Sequence, residues 1–229
     1  MRWVFWWLTQ QFMGLLFGGL NLIYRATRGC LFFKIEVYGS ENVSRLRRPV
    51  ILAAAPHWTY IDHFFLAVAF LFNFRIMPMR TMTADWVYKV PFYKLGFLLR
   101  LGCDALGAFQ ERRGRGFFTV AIPTLNSGHS VALYPEGIIQ EAIGIGKIKP
   151  GTARLAQDTG AQILPVALRG HEHFGGIYGF FFGRRKIKVF LGPAFRIGSN
   201  EDLDEATAKI KRVIEGLYCD NARLSKSGI

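Results

Sequence analysis

The chain has 229 residues, half of them hydrophobic (51%) and a fifth charged (20%), which suits one sizeable core and is too charged for a polytopic membrane protein. A formal net charge of +13 draws such a chain to nucleic acid, anionic lipid or an acidic carrier. Its 21 Phe residues fall in apolar runs rather than among base-reading Arg and Asn, which argues against nucleic acid and for a membrane surface.

From Trp3 to Tyr24 no residue carries a formal charge, and a helix of that length reaches about 33 Å, enough to cross a bilayer core. Arg2 leads this segment, Arg25, Arg28 and Lys34 follow it, and Trp3, Trp6 and Trp7 cluster where an interface would hold them. Gln10 and Gln11 near its middle, with Gly14, Gly18 and Gly19, favour dipping into the membrane over crossing it. The alternative is a buried core helix. No small-residue cleavage site follows, so the segment is expected to be retained.

Beyond it the pattern alternates. Residues 32–38 and 49–55 read as strands, 60–73 as a helix apolar nearly all round, and 74–79 as a strand. Residues 85–100 read as a helix kinked or broken at Pro91. Helices are expected over 117–127 and 150–159, and strands over 130–134, 162–168 and 186–191. An amphipathic helix over 200–218 closes the pattern, capped by Ser199 or Asn200, with Glu201 and Asp202 in its first turn. The last nine residues are expected to fray. The fold class is therefore α/β, a single domain with a mainly parallel central sheet flanked by helices, plus an N-terminal hydrophobic helical membrane anchor. Boundaries fall at 1–30 for the anchor, 31–220 for the domain and 221–229 for the tail. Cys30, Cys103 and Cys219 are far apart and form no CxxC, so neither a zinc knuckle nor a disulfide framework is expected, and the setting reads as reduced and cytoplasmic.

Three constellations could carry chemistry, and each follows or adjoins an apolar stretch, where α/β proteins place their sites. In APHWTYID, His57 and Asp62 are five apart, about 140° on a regular helix, so they meet only if His57 stands off the helix. Pro56 disfavours helix at Ala55, and Thr59 with Asp62 matches a capping-box spacing. Asp62 would then sit at the third helical position and fix the imidazole tautomer. Alternatively it only caps the helix. In VALYPEGI, Glu136 and Gly137 follow a buried strand; the turn is either ordinary or a place to receive hydroxyl groups. In GAFQERRGRG, Arg112, Arg113 and Arg115 form a solvated basic turn or a phosphate cradle. There is no GxSxG elbow and no P-loop, and His171, Glu172 and His173 lack a partner set for a metal.

Taken in order, these pieces resemble the glycerolipid acyltransferases, the 1-acylglycerol-3-phosphate acyltransferase group. The HxxxxD motif matches His57 and Asp62, with Thr59 where Ser is common; an arginine after an apolar stretch matches Arg113; the aromatic–Pro–Glu–Gly turn matches Tyr134, Pro135, Glu136 and Gly137. A strand carrying a proline matches Ile163, Leu164, Pro165 and Val166, and KPGTARLAQDTGAQ is similar to the family's glycine-led helix. The resemblance covers roughly residues 32 to 200. It departs at Pro56, where Asn is frequent, and at Ile138, Ile139 and Gln140, where Thr, Arg and Ser usually stand.

The resemblance implies direct acyl transfer from acyl-CoA or acyl carrier protein to a lysolipid hydroxyl, with no cofactor and no metal. His57 would be the base and Asp62 its orienter. Arg113 and Arg115 would hold the anionic head, and Glu136, Gly137, Thr59 and Pro165 would line the substrate. The run from Phe64 to Phe74 would wall an acyl chain or pack the core. Residues 178–188, YGFFFGRRKIK, would touch an anionic bilayer or form a hairpin tip. The expected location is the cytoplasmic face of a membrane, by monotopic contact or a single N-terminal anchor. The competing classes are an acyltransferase for an amino-acid-headed or glycosylated lysolipid, a non-enzymatic basic lipid-binding protein, and a lipid hydrolase.

Overall fold

The structure is a computed structural model, and it describes residues 4, 8, 12, 34–59, 62–70, 73, 75–83, 107–110, 116–140, 144–171 and 186–226. Seven strands form one sheet: β1 (Lys34–Tyr38), β2 (Val50–Ala55), β3 (Met79–Thr83), β4 (Ala108–Gln110), β5 (Ser130–Leu133), β6 (Gln162–Arg169) and β7 (Lys186–Leu191). Among the described residues five helices accompany them: α1 (Glu41–Ser44), α2 (Asp62–Ala69), α3 (Phe118–Asn126), α4 (Gly151–Thr159) and α5 (Leu203–Lys226).

The strand order is β1-β7-β6-β2-β5-β3-β4. Every neighbouring pair is parallel except β6 with β7. The mainly parallel sheet expected from the sequence is therefore present, with a reversed β1–β7 pair at one edge. VILAAA of β2 is buried along its whole length, as a central parallel strand covered on both faces must be. Its side chains alternate between two cores. Val50, Leu52 and Ala54 join Leu66 of α2 and Phe70 just past its end, while Ile51, Ala53 and Ala55 join Leu125 of α3, Leu155 of α4 and Ile210 of α5. Ala206, Ile210, Ile214 and Tyr218 recur every four residues on α5 and are its buried stripe.

Some boundaries shift. The strand read over 74–79 lies at Met79–Thr83, because Ile76 and Met77 are buried in the connection before it rather than in the sheet. The helix read over 60–73 is α2, and Phe65, Leu66, Ala67 and Phe70 are buried, so this part of the apolar run packs core. The closing helix starts at Leu203, not residue 200. Its cap is Asp202, whose Oδ1 accepts the Asp204 and Glu205 amides at 2.9 and 3.0 Å. It runs to Lys226, into the stretch expected to fray. The helix read over 85–100, most of the anchor segment and residues 178–185 lie outside the described residues. Among the described residues no helix is long and apolar enough to cross a membrane.

Candidate active site

Adjacent parallel strands release their chains at one edge of the sheet. β2 ends at Ala55 beside β5 on one side and β6 on the other, so His57, the Tyr134–Gly137 turn and His171 arrive together. Gly170 makes the last of these arrivals possible. Its φ is +84°, and a Cβ there would lie 2.1 Å from the Lys186 carbonyl oxygen.

His57 stands off the helix, as the spacing required, and its Nδ1 lies 3.0 Å from Oδ2 of Asp62. Asp62 opens the described part of α2 and is fully buried; residues 60 and 61, which would fix its position in the first turn, lie outside the described residues. The same Oδ2 accepts the Trp58 and Thr59 amides at 2.8 and 3.0 Å. Half of the expected capping box is thus made. The other half is not, because the Thr59 hydroxyl donates to Asp62 Oδ1 instead of receiving a backbone amide. Burial would raise the Asp62 pKa; the His57 hydrogen bond, the fields of His171 and His57, and the Thr59 hydroxyl outweigh it and hold the group below its ordinary value. Asp62 is therefore a carboxylate at neutral pH, and because Asp62 is acceptor-only the His57 proton sits on Nδ1. That leaves Nε2 as the basic nitrogen, on a side chain 13% exposed.

Glu136 behaves differently from the expectation. It is fully buried, and its two oxygens accept the His57 amide at 2.7 Å and the Gly146 amide at 2.6 Å. The His57 carbonyl in turn accepts the Gln140 amide at 2.7 Å. The turn after β5 therefore grips the backbone of His57 on both sides, and Glu136 positions His57. Burial raises the Glu136 pKa, opposed by those two amides and by the field of His57. Tyr134 stacks on the His57 ring with centroids 4.1 Å apart, and its buried hydroxyl has no hydrogen-bond partner among the described residues.

His63, next to Asp62, meets the Tyr134 ring edge-on at 4.9 Å. Burial first, then the field of His57, pushes its pKa down to about 3, with Asp62 opposing. The folded protein thus holds His63 neutral while the unfolded chain protonates it below its ordinary 6.5. Stability should fall as pH drops from 6.5 towards 3. His63→Phe keeps a ring and removes the titration, so its melting temperature relative to wild type should improve between pH 7.5 and pH 4. A difference that stays constant with pH would refute this.

The other expected site residues are distributed unevenly. Gly137 adopts φ +64° beside Lys149, whose Nζ lies 3.4 Å from the Gly137 carbonyl and which is an exposed cation the sequence reading did not single out. Pro165 sits mid-strand in β6, buried and registered against Ala53, away from these contacts. Arg113 and Arg115 lie outside the described residues. A groove of about 720 Å³ between α3 and α4, lined by Phe118, Thr119, Ile122, Pro123, Arg154 and Asp158, shares no residue with the His57 cluster. Among the described residues no three His, Cys, Asp or Glu side chains are grouped to hold a metal. Sequence reasoning missed His63 and the amides of Gly146 and Gln140, and weighed His171 only as a metal ligand. Only His171 carried a usable signal, standing just past a strand as His57 does.

A model of the family described as Acyltransferase matches residues 34–169. The chain is similar to the 1-acyl-sn-glycerol-3-phosphate acyltransferase of Borreliella burgdorferi, at 26% identity over 141 residues, which is 62% of this chain and 53% of that protein. It therefore spans about half the length of that curated relative. The crystal structure of the 1-acyl-sn-glycerophosphate (LPA) acyltransferase PlsC from Thermotoga maritima is similar in fold, with a TM-score of 0.58 at 20% identity over 81% of this chain and 71% of that one.

Proposed function

The chain belongs to the acyltransferase family, and from that premise we propose that it moves a fatty acyl group from an acyl thioester, on coenzyme A or acyl carrier protein, to a lysolipid hydroxyl. The acceptor we favour is 1-acylglycerol-3-phosphate, giving phosphatidic acid. The observation that carries this reading is the 3.0 Å contact between His57 Nδ1 and the buried carboxylate of Asp62.

In this reading His57 Nε2 takes the proton of the acceptor hydroxyl as its oxygen attacks the thioester carbonyl carbon. Asp62 supports the imidazolium so formed. The tetrahedral adduct collapses, the carbon–sulfur bond breaks, and the departing sulfur takes the proton back from His57. No protein nucleophile takes part. Lys149 beside Gly137, with Arg113 and Arg115, would provide cations for an anionic head.

A membrane surface is the natural place for such substrates. Val4, Leu8 and Phe12, spaced four apart and helical, expose 61%, 53% and 65% of their surface, which supports an apolar face near the N-terminus that meets lipid. A second reading, a lysolipid with another head group, is favoured by Ile138, which is 59% exposed where the family usually carries a polar residue after Glu–Gly.

Mass spectrometry of products from a panel of lysolipids, offered acyl-CoA and acyl carrier protein in turn, tests these readings. Acylated lysophosphatidate is the expected product. Free fatty acid released at the same rate without an acceptor would make the protein a hydrolase and end the proposal.

A further inference from the structure

One buried histidine beside the dyad has no part in the reaction just described. His171 follows Gly170 at the end of β6, on the opposite side of β2 from the Glu136 turn. It is fully buried, and its ring packs near Trp58 (6.0 Å) and edge-on to Phe65 (6.4 Å). Its Nε2 lies 3.3 Å from the Pro56 carbonyl oxygen and 3.8 Å from Oδ2 of Asp62. Both neighbours are acceptors, so Nε2 carries the proton and donates to Pro56, with the carboxylate within electrostatic reach. Its Nδ1 has no hydrogen-bond partner among the described residues. A ring that served only to fill space would do so more favourably as leucine, since an idle buried nitrogen costs desolvation.

We propose that His171 is a positioning residue of the His57–Asp62 site: its Nε2–H fixes the Pro56 carbonyl that leads into His57 and draws on the Asp62 carboxylate, moderating how strongly Asp62 holds a proton on His57. This rests on the reading of His57 as the base. Among the described residues Asp62 is the charged group in contact with His171. His57 shares that carboxylate from the turn after β2, while His63 on α2 and Tyr134 and Glu136 after β5 surround His57. Removing His171 leaves the full negative charge of Asp62 facing His57. The imidazolium is then better supported, and His57 titrates at higher pH.

Nitrogen-15 NMR of the histidine rings in the full chain reads this directly. In wild type, His171 should carry its proton on Nε2 and none on Nδ1. In His171→Leu, the His57 titration midpoint should rise by roughly half a pH unit. In His171→Gln, whose amide can still donate to Pro56, the midpoint should return towards wild type. The rate reads the other contact: without a donor to the Pro56 carbonyl the backbone leading into His57 loosens, and kcat should fall roughly 10-fold in His171→Leu, as a small misplacement of a reacting group costs. Its acid limb should move up in pH, and His171→Gln should restore both. A proton found on Nδ1, an unmoved His57 midpoint in His171→Leu, or equal shifts in both variants would overturn the proposal. Should His171→Leu fail to fold, the wild-type tautomer and the His171→Gln titration still decide. A wild-type chain that transfers no acyl group would sink the proposed activity while the ring titrations still judge His171.

Discussion

Asp62→Asn should lower kcat for acyl transfer by about 10²-fold or more, within the range of about 10²–10⁴ that a general base supplies, while the protein stays folded. The geometry makes this substitution a test of charge. Oδ2 of Asp62 accepts three N–H groups, from His57, Trp58 and Thr59, and an Asn carbonyl oxygen in that place would accept all three. The Asn amide would then face the Thr59 hydroxyl, which can turn to accept. Shape and capping survive, and only the charge facing the imidazolium is lost. His57→Ala should reach the same low rate, and the double variant should fall no further, because the two residues act as a unit. Steady-state kinetics with unchanged circular dichroism checks this. Activity of Asp62→Asn within a few fold of wild type would reduce Asp62 to a helix cap.

The second large effect belongs to Glu136. Both of its oxygens face backbone N–H groups, so the ionised carboxylate fits the site and an amide does not. Glu136→Gln turns an NH₂ towards either the His57 or the Gly146 amide and leaves a buried donor unsatisfied. That costs about 1–3 kcal/mol, or about 2–4 °C in Tm for each kcal/mol. Loosening the backbone of His57 should also lower kcat by up to about 10²-fold, since small misplacements of a reacting group cost that much. A substrate-binding Glu136 would instead raise KM and leave Tm unchanged, so thermal melts beside kinetics separate the two roles.

Periodicity carried most of the architecture. The buried run VILAAA and the strand KIKVFL were readable because near-continuous apolar residues and strict alternation are strand signals. The three-residue β4 and four-residue α1 were not read, since neither is long enough to complete a pattern. Within the site, the pairing of His57 with Asp62 was legible from spacing and the capping residues, because it is local. The role of Glu136 was not. Its partners, the amides of His57 and Gly146, are backbone groups, which side-chain identity does not mark, and one lies 79 residues away. His171 reaches Pro56 across 115 residues and only through the β2–β6 register.

Those separations bear on when the protein becomes reactive. The histidine leaves the ribosome early, yet its latch at Glu136 and its neighbour at His171 are made much later in synthesis. A nascent chain therefore carries a His57 that is chemically ordinary. With His57 as the proposed base, that base comes into being with the closure of β5 and β6 around β2, so during refolding recovered activity should report completion of the central sheet and not precede it.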